Sequence, residues 1–136
     1  MKLSAKAEYA CLAIIGLARF GSDGTPVRVR DIAGAQGIPE RYLVQILIQL
    51  KVAGLVYSAR GSAGGYRLSR PPDRITLGEV LAAVDGPGEP PRDSQGSVEQ
   101  ALLSVLADIR ANERAVLERT TIAQLAGQTE PHDWVI

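Results

Sequence analysis

Val29-Arg30-Asp31-Ile32-Ala33-Gly34-Ala35-Gln36-Gly37-Ile38-Pro39-Glu40-Arg41-Tyr42-Leu43-Val44-Gln45-Ile46-Leu47-Ile48-Gln49-Leu50 decides the fold of this 136-residue chain. The stretch predicts a short helix over 29–36, a break at Gly37, and a second helix over 39–53 that stops at Gly54. Pro39 suits a first helical turn, where its missing N–H costs nothing. Ala33 is small enough for the second helix to cross closely, and Gly37, four residues on, can turn left-handed without a Cβ clash. Ile32, Ile38, Leu43 and Ile46 fall where two such helices must pack, and Leu47 and Leu50 continue that face. The opposite face carries Arg41, Tyr42, Gln45, Gln49 and Lys51. Gln36 departs from the pattern, because an apolar side chain is usual there. An αα-hairpin inside a helical bundle is the alternative for this stretch, and its neighbours decide between the two.

Upstream, Leu3, Ala7, Ala10, Ile14 and Leu17 recur at helical spacing, which predicts an amphipathic helix over 4–20 with Ser4 as its N-cap. Downstream, 55–58 and 66–69 read as two short strands around the glycine-rich tip Arg60-Gly61-Ser62-Ala63-Gly64-Gly65. Thr76-Leu77-Gly78-Glu79 is a capping box that opens a helix to about Val84. Helix, helix, turn, helix, hairpin, helix is the order of a winged helix-turn-helix, which makes residues 1–86 a DNA-binding domain. Residues 87–97, rich in Gly, Pro, Ser and charge, read as a linker. In 98–126, Val98, Leu102, Val105, Ile109, Asn112 and Val116 step by 4, 3, 4, 3 and 4. That is a heptad seam with one polar residue, on a helix that wants a partner; a short helix and a tail over 127–136 follow. The fold expected is mainly α with a small β-hairpin wing and a long C-terminal dimerisation helix.

The net charge of zero hides two halves. Residues 1–75 hold eleven Lys/Arg against five Asp/Glu, a charge of +6, and residues 76–136 hold four against ten, −6. A basic module joined to an acidic one suits a polyanion binder with separate assembly. The single cysteine, Cys11, excludes a disulfide framework within the chain and fits a reducing compartment. No signal peptide or membrane-length apolar run is visible, so a cytoplasmic location is expected.

Several segments resemble the Rrf2 family of winged-helix transcriptional regulators. They are Met1-Lys2-Leu3-Ser4, Tyr42-Leu43-Val44-Gln45, Ala53-Gly54-Leu55-Val56, Arg60-Gly61-Ser62-Ala63-Gly64-Gly65-Tyr66-Arg67-Leu68 and Ile75-Thr76-Leu77-Gly78-Glu79-Val80. The resemblance implies that Tyr42 and Gln45 meet the major groove of double-stranded DNA and that Arg60 enters the minor groove. The chemistry agrees, since Gln bridges adenine N6 and N7 and Arg suits a narrow, negative groove. Arg28 and Lys51 are expected at phosphates, Arg41 is expected among the DNA-binding residues, and Gly61, Gly64 and Gly65 let the backbone approach the sugar-phosphate wall. Val44 stands where many relatives carry Glu, so a carboxylate that could read cytosine is replaced by an apolar contact.

Many members of the family hold an iron–sulfur cluster through three cysteines in the loop before the long helix. Here that loop, 87–97, has none, so no metal cofactor is expected, and Glu8, which matches an acidic ligand position in some members, reads as a surface carboxylate. Cys11 lies on an apolar helix face and reads as a small hydrophobe rather than a redox sensor. Glu118-Arg119-Thr120-Thr121-Ile122-Ala123-Gln124-Leu125-Ala126 and the acidic, aromatic and apolar tail after it, ending Asp133-Trp134-Val135-Ile136, are similar to those of a cluster-free branch governing cysteine metabolism. That likeness implies a cysteine-biosynthesis enzyme, O-acetylserine sulfhydrylase, as a partner. The reading is a homodimeric DNA-binding regulator, a repressor. Its rivals are an adaptor that has lost DNA binding, and an enzyme. The wing lacks the Gly-Lys-Ser/Thr ending of a phosphate loop, and no acid/base pair, nucleophile–base pair or metal-ligand spacing supports catalysis.

Overall fold

Ser4 starts the first helix as expected: its side chain accepts a hydrogen bond from the Ala7 N–H at 3.0 Å and opens α1 (Ala5–Phe20). The Ser4 hydroxyl also donates to Asp85, at 3.1 Å to Oδ1, tying the start of α1 to the end of a later helix. A computed structural model describes residues 2–62, 64–86 and 92–127. The first part of the linker, 87–91, and the tail from 128, with His132, Trp134 and Ile136, lie outside the described residues.

The helix-turn-helix consists of α2 (Val29–Gln36) and α3 (Glu40–Val52). Gly37 ends α2 with φ 66°, the left-handed geometry its position called for, and the Ile38 N–H returns to the Ala33 carbonyl at 3.0 Å. Pro39 stays extended just ahead of α3, and its carbonyl accepts the first helical bond, from Leu43. Gln36 finds a role its type did not announce. Its amide donates to the Leu12 carbonyl of α1 at 3.1 Å and lies over Gly16, where a Cβ would stand 2.9 Å from the amide nitrogen.

The wing is an antiparallel pair, β1 (Val56–Ala59) and β2 (Gly65–Leu68), with Tyr57 opposite Arg67 and Ala59 opposite Gly65. Both strands sit one residue nearer the tip than the sequence predicts. The Leu55 N–H is taken by the Leu50 carbonyl at 2.9 Å as α3 closes, so regular pairing begins at Val56. A 3-10 turn (Pro72–Arg74) leads to α4 (Leu77–Asp85), which opens with the expected capping box between Thr76 and Glu79. The chain closes with α5 (Ser97–Arg119) and α6 (Ile122–Gly127), the latter started by reciprocal bonds between Thr121 and Gln124.

One buried cluster organises these elements. Ala7, Ala10, Ala13 and Ile14 of α1, Leu43 and Leu47 of α3, Val80 of α4 and Ile122 of α6 are all fully or almost fully buried in it. The last helix therefore shares a core with the first, and backbone bonds from Leu77 to Thr120 and from Ile122 to Ile75 hold it there. By contrast α5 buries no residue fully on this chain. Leu103, Leu106 and Leu117 are half-buried, with Leu117 against Gly78 of α4, whereas Val98, Leu102, Val105, Ile109 and Val116 are 44–84% exposed.

Glu79 closes the capping box and also pairs with Arg70, whose guanidinium holds the carboxyl below the ordinary glutamate range. A carboxyl with a depressed folded-state pKa stabilises the fold above its unfolded value near 4.3 and loses that contribution as pH falls through the folded value. Glu79→Gln should cost under about 1 kcal/mol at neutral pH, because the pair is partly exposed. In melts followed by circular dichroism, the gap between wild type and variant should close below about pH 4; a gap that persists in acid would show that the charge is not its source.

Candidate nucleic-acid interface

The second helix of the helix-turn-helix is held from behind and exposed in front. Leu43, Ile46, Leu47 and Leu50 are buried on one side of α3, and the periodicity of 3.6 then turns Arg41, Gln45, Ile48 and Val52 outward. Arg41, Tyr42 and Gln45 are exposed, as a reading surface requires. Tyr42 leans toward α1 and lines an apolar cleft of about 380 Å³ with Ala5, Lys6, Tyr9, Gln45 and Ile46. The first turn of α1 thus adds Lys6 to the surface beside α3. Lys6 was not singled out from sequence, because nothing local in its helix signals proximity to another element.

The wing is held against the helix-turn-helix through three separate ties. The Val27 and Tyr66 backbones exchange two hydrogen bonds of 2.8 Å, so the segment before α2 acts as a third, one-residue strand. Lys51 at the end of α3 donates to the Ser58 hydroxyl of β1 at 2.8 Å. Arg28, at the start of α2, donates to the Ser62 carbonyl in the wing tip. Both cations remain exposed, yet each has an internal bond, which their sequence positions did not reveal.

The wing glycines divide into two kinds. A Cβ on Gly65, whose φ is 148°, would stand 2.3 Å from the Val27 carbonyl oxygen, and one on Gly64 would stand 2.4 Å from that of Ala59. These two are required by the protein's own backbone, not only by approach to a nucleic acid. Gly61, with φ 97° and open space around it, makes the turn beside the exposed Arg60. On the sheet, Arg67 stacks over Tyr57 at 5.5 Å, a cation–π pair set by the register.

Cys11 is half-buried against the core. Burial, with the nearby charges of Asp85 and Glu8, pushes its thiol up to about 11. It is therefore protonated at neutral pH, the opposite of a reactive or metal-binding thiolate. Among the described residues, no group of three His, Cys, Asp or Glu could hold a metal ion, and no helix is long and apolar enough to cross a membrane.

This architecture, a helix-turn-helix with a two-stranded wing and a long helix beyond it, is that of a winged-helix transcriptional regulator. The chain belongs to the Rrf2 family, whose model, described as iron-dependent transcriptional regulator, matches residues 3–128. A Mycobacterium tuberculosis protein whose name places it among the HTH-type transcriptional regulators is 44% identical over 137 residues, covering 96% of this chain and 84% of that protein. The HTH-type regulator CymR of Bacillus subtilis is 36% identical over 130 residues, covering 96% of this chain and 93% of CymR. The solved structure of B. subtilis CymR, titled the global cysteine regulator, superposes with a TM-score of 0.86 at 35% identity over 96% of this chain and 99% of that one. That of T. potens IscR gives 0.82 at 32% identity over 100% and 93%. These are regulators and not enzymes.

The family's description as iron-dependent raises the question of a bound metal. The donor set does not fit an iron–sulfur cluster, because the chain has one cysteine and its thiol is held protonated. Alkylation of Cys11 by iodoacetamide should accordingly be slow at pH 7.5 and accelerate with a midpoint well above the ordinary thiol value of about 8.5. A midpoint at or below that value, followed by mass spectrometry across a pH series, would make Cys11 a reactive thiol.

Proposed function

We propose that the protein acts as a homodimer that binds specific double-stranded DNA and represses transcription. The observation that carries this reading is α3: a buried apolar face fixes the helix while Arg41, Tyr42 and Gln45 face solvent beside a braced wing. Tyr42 and Gln45 read base edges in the major groove, with Gln45 bridging adenine. Arg60 inserts into the minor groove, where a guanidinium senses width and potential rather than a unique base pattern. Arg41, Arg28 and Lys51 meet phosphates, the last two by sharing or exchanging their bonds to Ser62 and Ser58. Gly61 and Gly65 keep the tip slim. The basic charge of residues 1–75 supports a polyanionic ligand over the adaptor reading.

Dimerisation through α5 is supported by its uncovered seam. Val98, Leu102, Val105, Ile109 and Val116 leave apolar surface in water, at about 25 cal/mol per Å². Asn112, exposed within that seam, pairs across the dyad or lines its rim and sets register at some cost in stability. A cysteine-biosynthesis enzyme as a partner through the C-terminal Asp133-Trp134-Val135-Ile136 is supported by the likeness to CymR alone.

Two measurements test the reading. Duplexes selected by the purified protein from random oligonucleotides should lose about 1–3 kcal/mol of affinity with Arg60→Ala or Gln45→Ala, and scrambled duplexes less. Fluorescence anisotropy at several salt concentrations reads both; no loss with either variant on either duplex would return the adaptor reading. Ile109→Glu should give monomers by sedimentation and weaken binding to a two-half-site duplex by about 10²-fold through lost avidity. A wild-type chain that stays monomeric at micromolar concentration would sink the dimer.

A further inference from the structure

The outward side of α3 is not uniformly polar. Val44 is 38% exposed, Ile48 46% and Val52 84%, and they follow one another at steps of four along a single ridge. The next ridge holds Arg41 and Gln45, three residues away from Val44 and Ile48 respectively, so the two rows are immediate neighbours on the helix surface. Lys51 bounds the aliphatic row on its other side. An aliphatic row is costly to leave in water and nothing in the core claims it, since Leu43, Ile46, Leu47 and Leu50 point the opposite way.

A protein-binding surface would call for a contiguous apolar patch of several hundred Å². A single file hemmed in by Arg41, Gln45 and Lys51 is too narrow for that, and it runs through the middle of the face assigned to DNA. The major groove offers one kind of apolar group, the 5-methyl of thymine. We propose that Val44 and Ile48 are specificity residues that read thymine 5-methyl groups on either side of the base contacted by Gln45. The proposal rests on the docking of α3 in the major groove. Four residues advance the helix by about 6 Å, near two steps of stacked bases at about 3.4 Å each. Each half-site therefore carries two methyl-dependent positions about two base-pair steps apart. Val52, at the last turn, lies farthest from bases approached by the N-terminal part of the helix.

Replacing thymine by deoxyuridine removes the methyl and nothing else. In a selected duplex, thymines are replaced one at a time and binding is read by fluorescence anisotropy. Wild type should lose about threefold to fivefold at each of two positions per half-site, the scale of one buried methyl group. Val44→Ser should erase the thymine–uracil difference at one of those positions and Ile48→Ser at the other, with folding checked by thermal melts. If wild type binds thymine and uracil duplexes equally, methyl reading is overturned while DNA recognition stands. If either serine variant weakens both duplexes alike and keeps the thymine–uracil ratio, the residue does not read the methyl. If no duplex binds at all, the docking of α3 fails and takes this inference with it.

Discussion

The alanine face of α1 is the constraint on which the other contacts depend. Ala7, Ala10 and Ala13 are completely buried, and α2, α3, α4, α6 and β2 all pack on this helix. Several elements can converge on one helix only if its side chains are short enough to admit their backbones from several sides at once. Larger residues at these positions would push α3 and α4 outward, and the exposed face of α3 would move with them. Gly16 extends the same logic, because the space above it is filled by the Gln36 amide on its way to the Leu12 carbonyl.

From that centre the wing inherits its position. The Val27–Tyr66 bridge needs two carbonyl–amide contacts at 2.8 Å, and Gly65 makes room for them. Lys51 and Arg28 then brace the wing from α3 and from the start of α2. A hairpin of four-residue strands is marginal alone. Here each strand is tied from outside, β2 at Tyr66 and β1 at Ser58, and the tip is tied at Ser62, so Arg60 is carried on a braced hairpin.

The long helix has two unlike faces. Leu117 meets α4, and Ile122 just beyond it returns to the α1 core, so a shift of α5 would be felt by the helices packed on α1. The outward seam is left for another surface. A raised thiol pKa at Cys11 removes the one soft ligand from chemistry and leaves it as packing between α1 and its surroundings.

Much of this was legible from residue order, for identifiable reasons. Helix boundaries in α1, α2 and α4 follow from local signals: the Ser4 cap, the left-handed Gly37, the Thr76–Glu79 box. The aliphatic periodicity of α3 and the heptad of α5 are likewise properties of spacing alone. What the sequence could not determine are contacts between residues far apart in the chain. The strands moved one residue toward the tip because the Leu55 amide is claimed by α3. Gln36, Arg28 and Lys51 acquired internal partners 24, 34 and 7 residues away. Gly64 and Gly65 are compelled by the protein's own carbonyls, and Lys6 comes beside Tyr42 and Gln45 only because α1 crosses α3. Periodicity is a local property of the chain, so it can be read one residue at a time. A hydrogen bond or a close approach across the fold depends on where two separate backbones come to rest, and that is set only when the whole core packs.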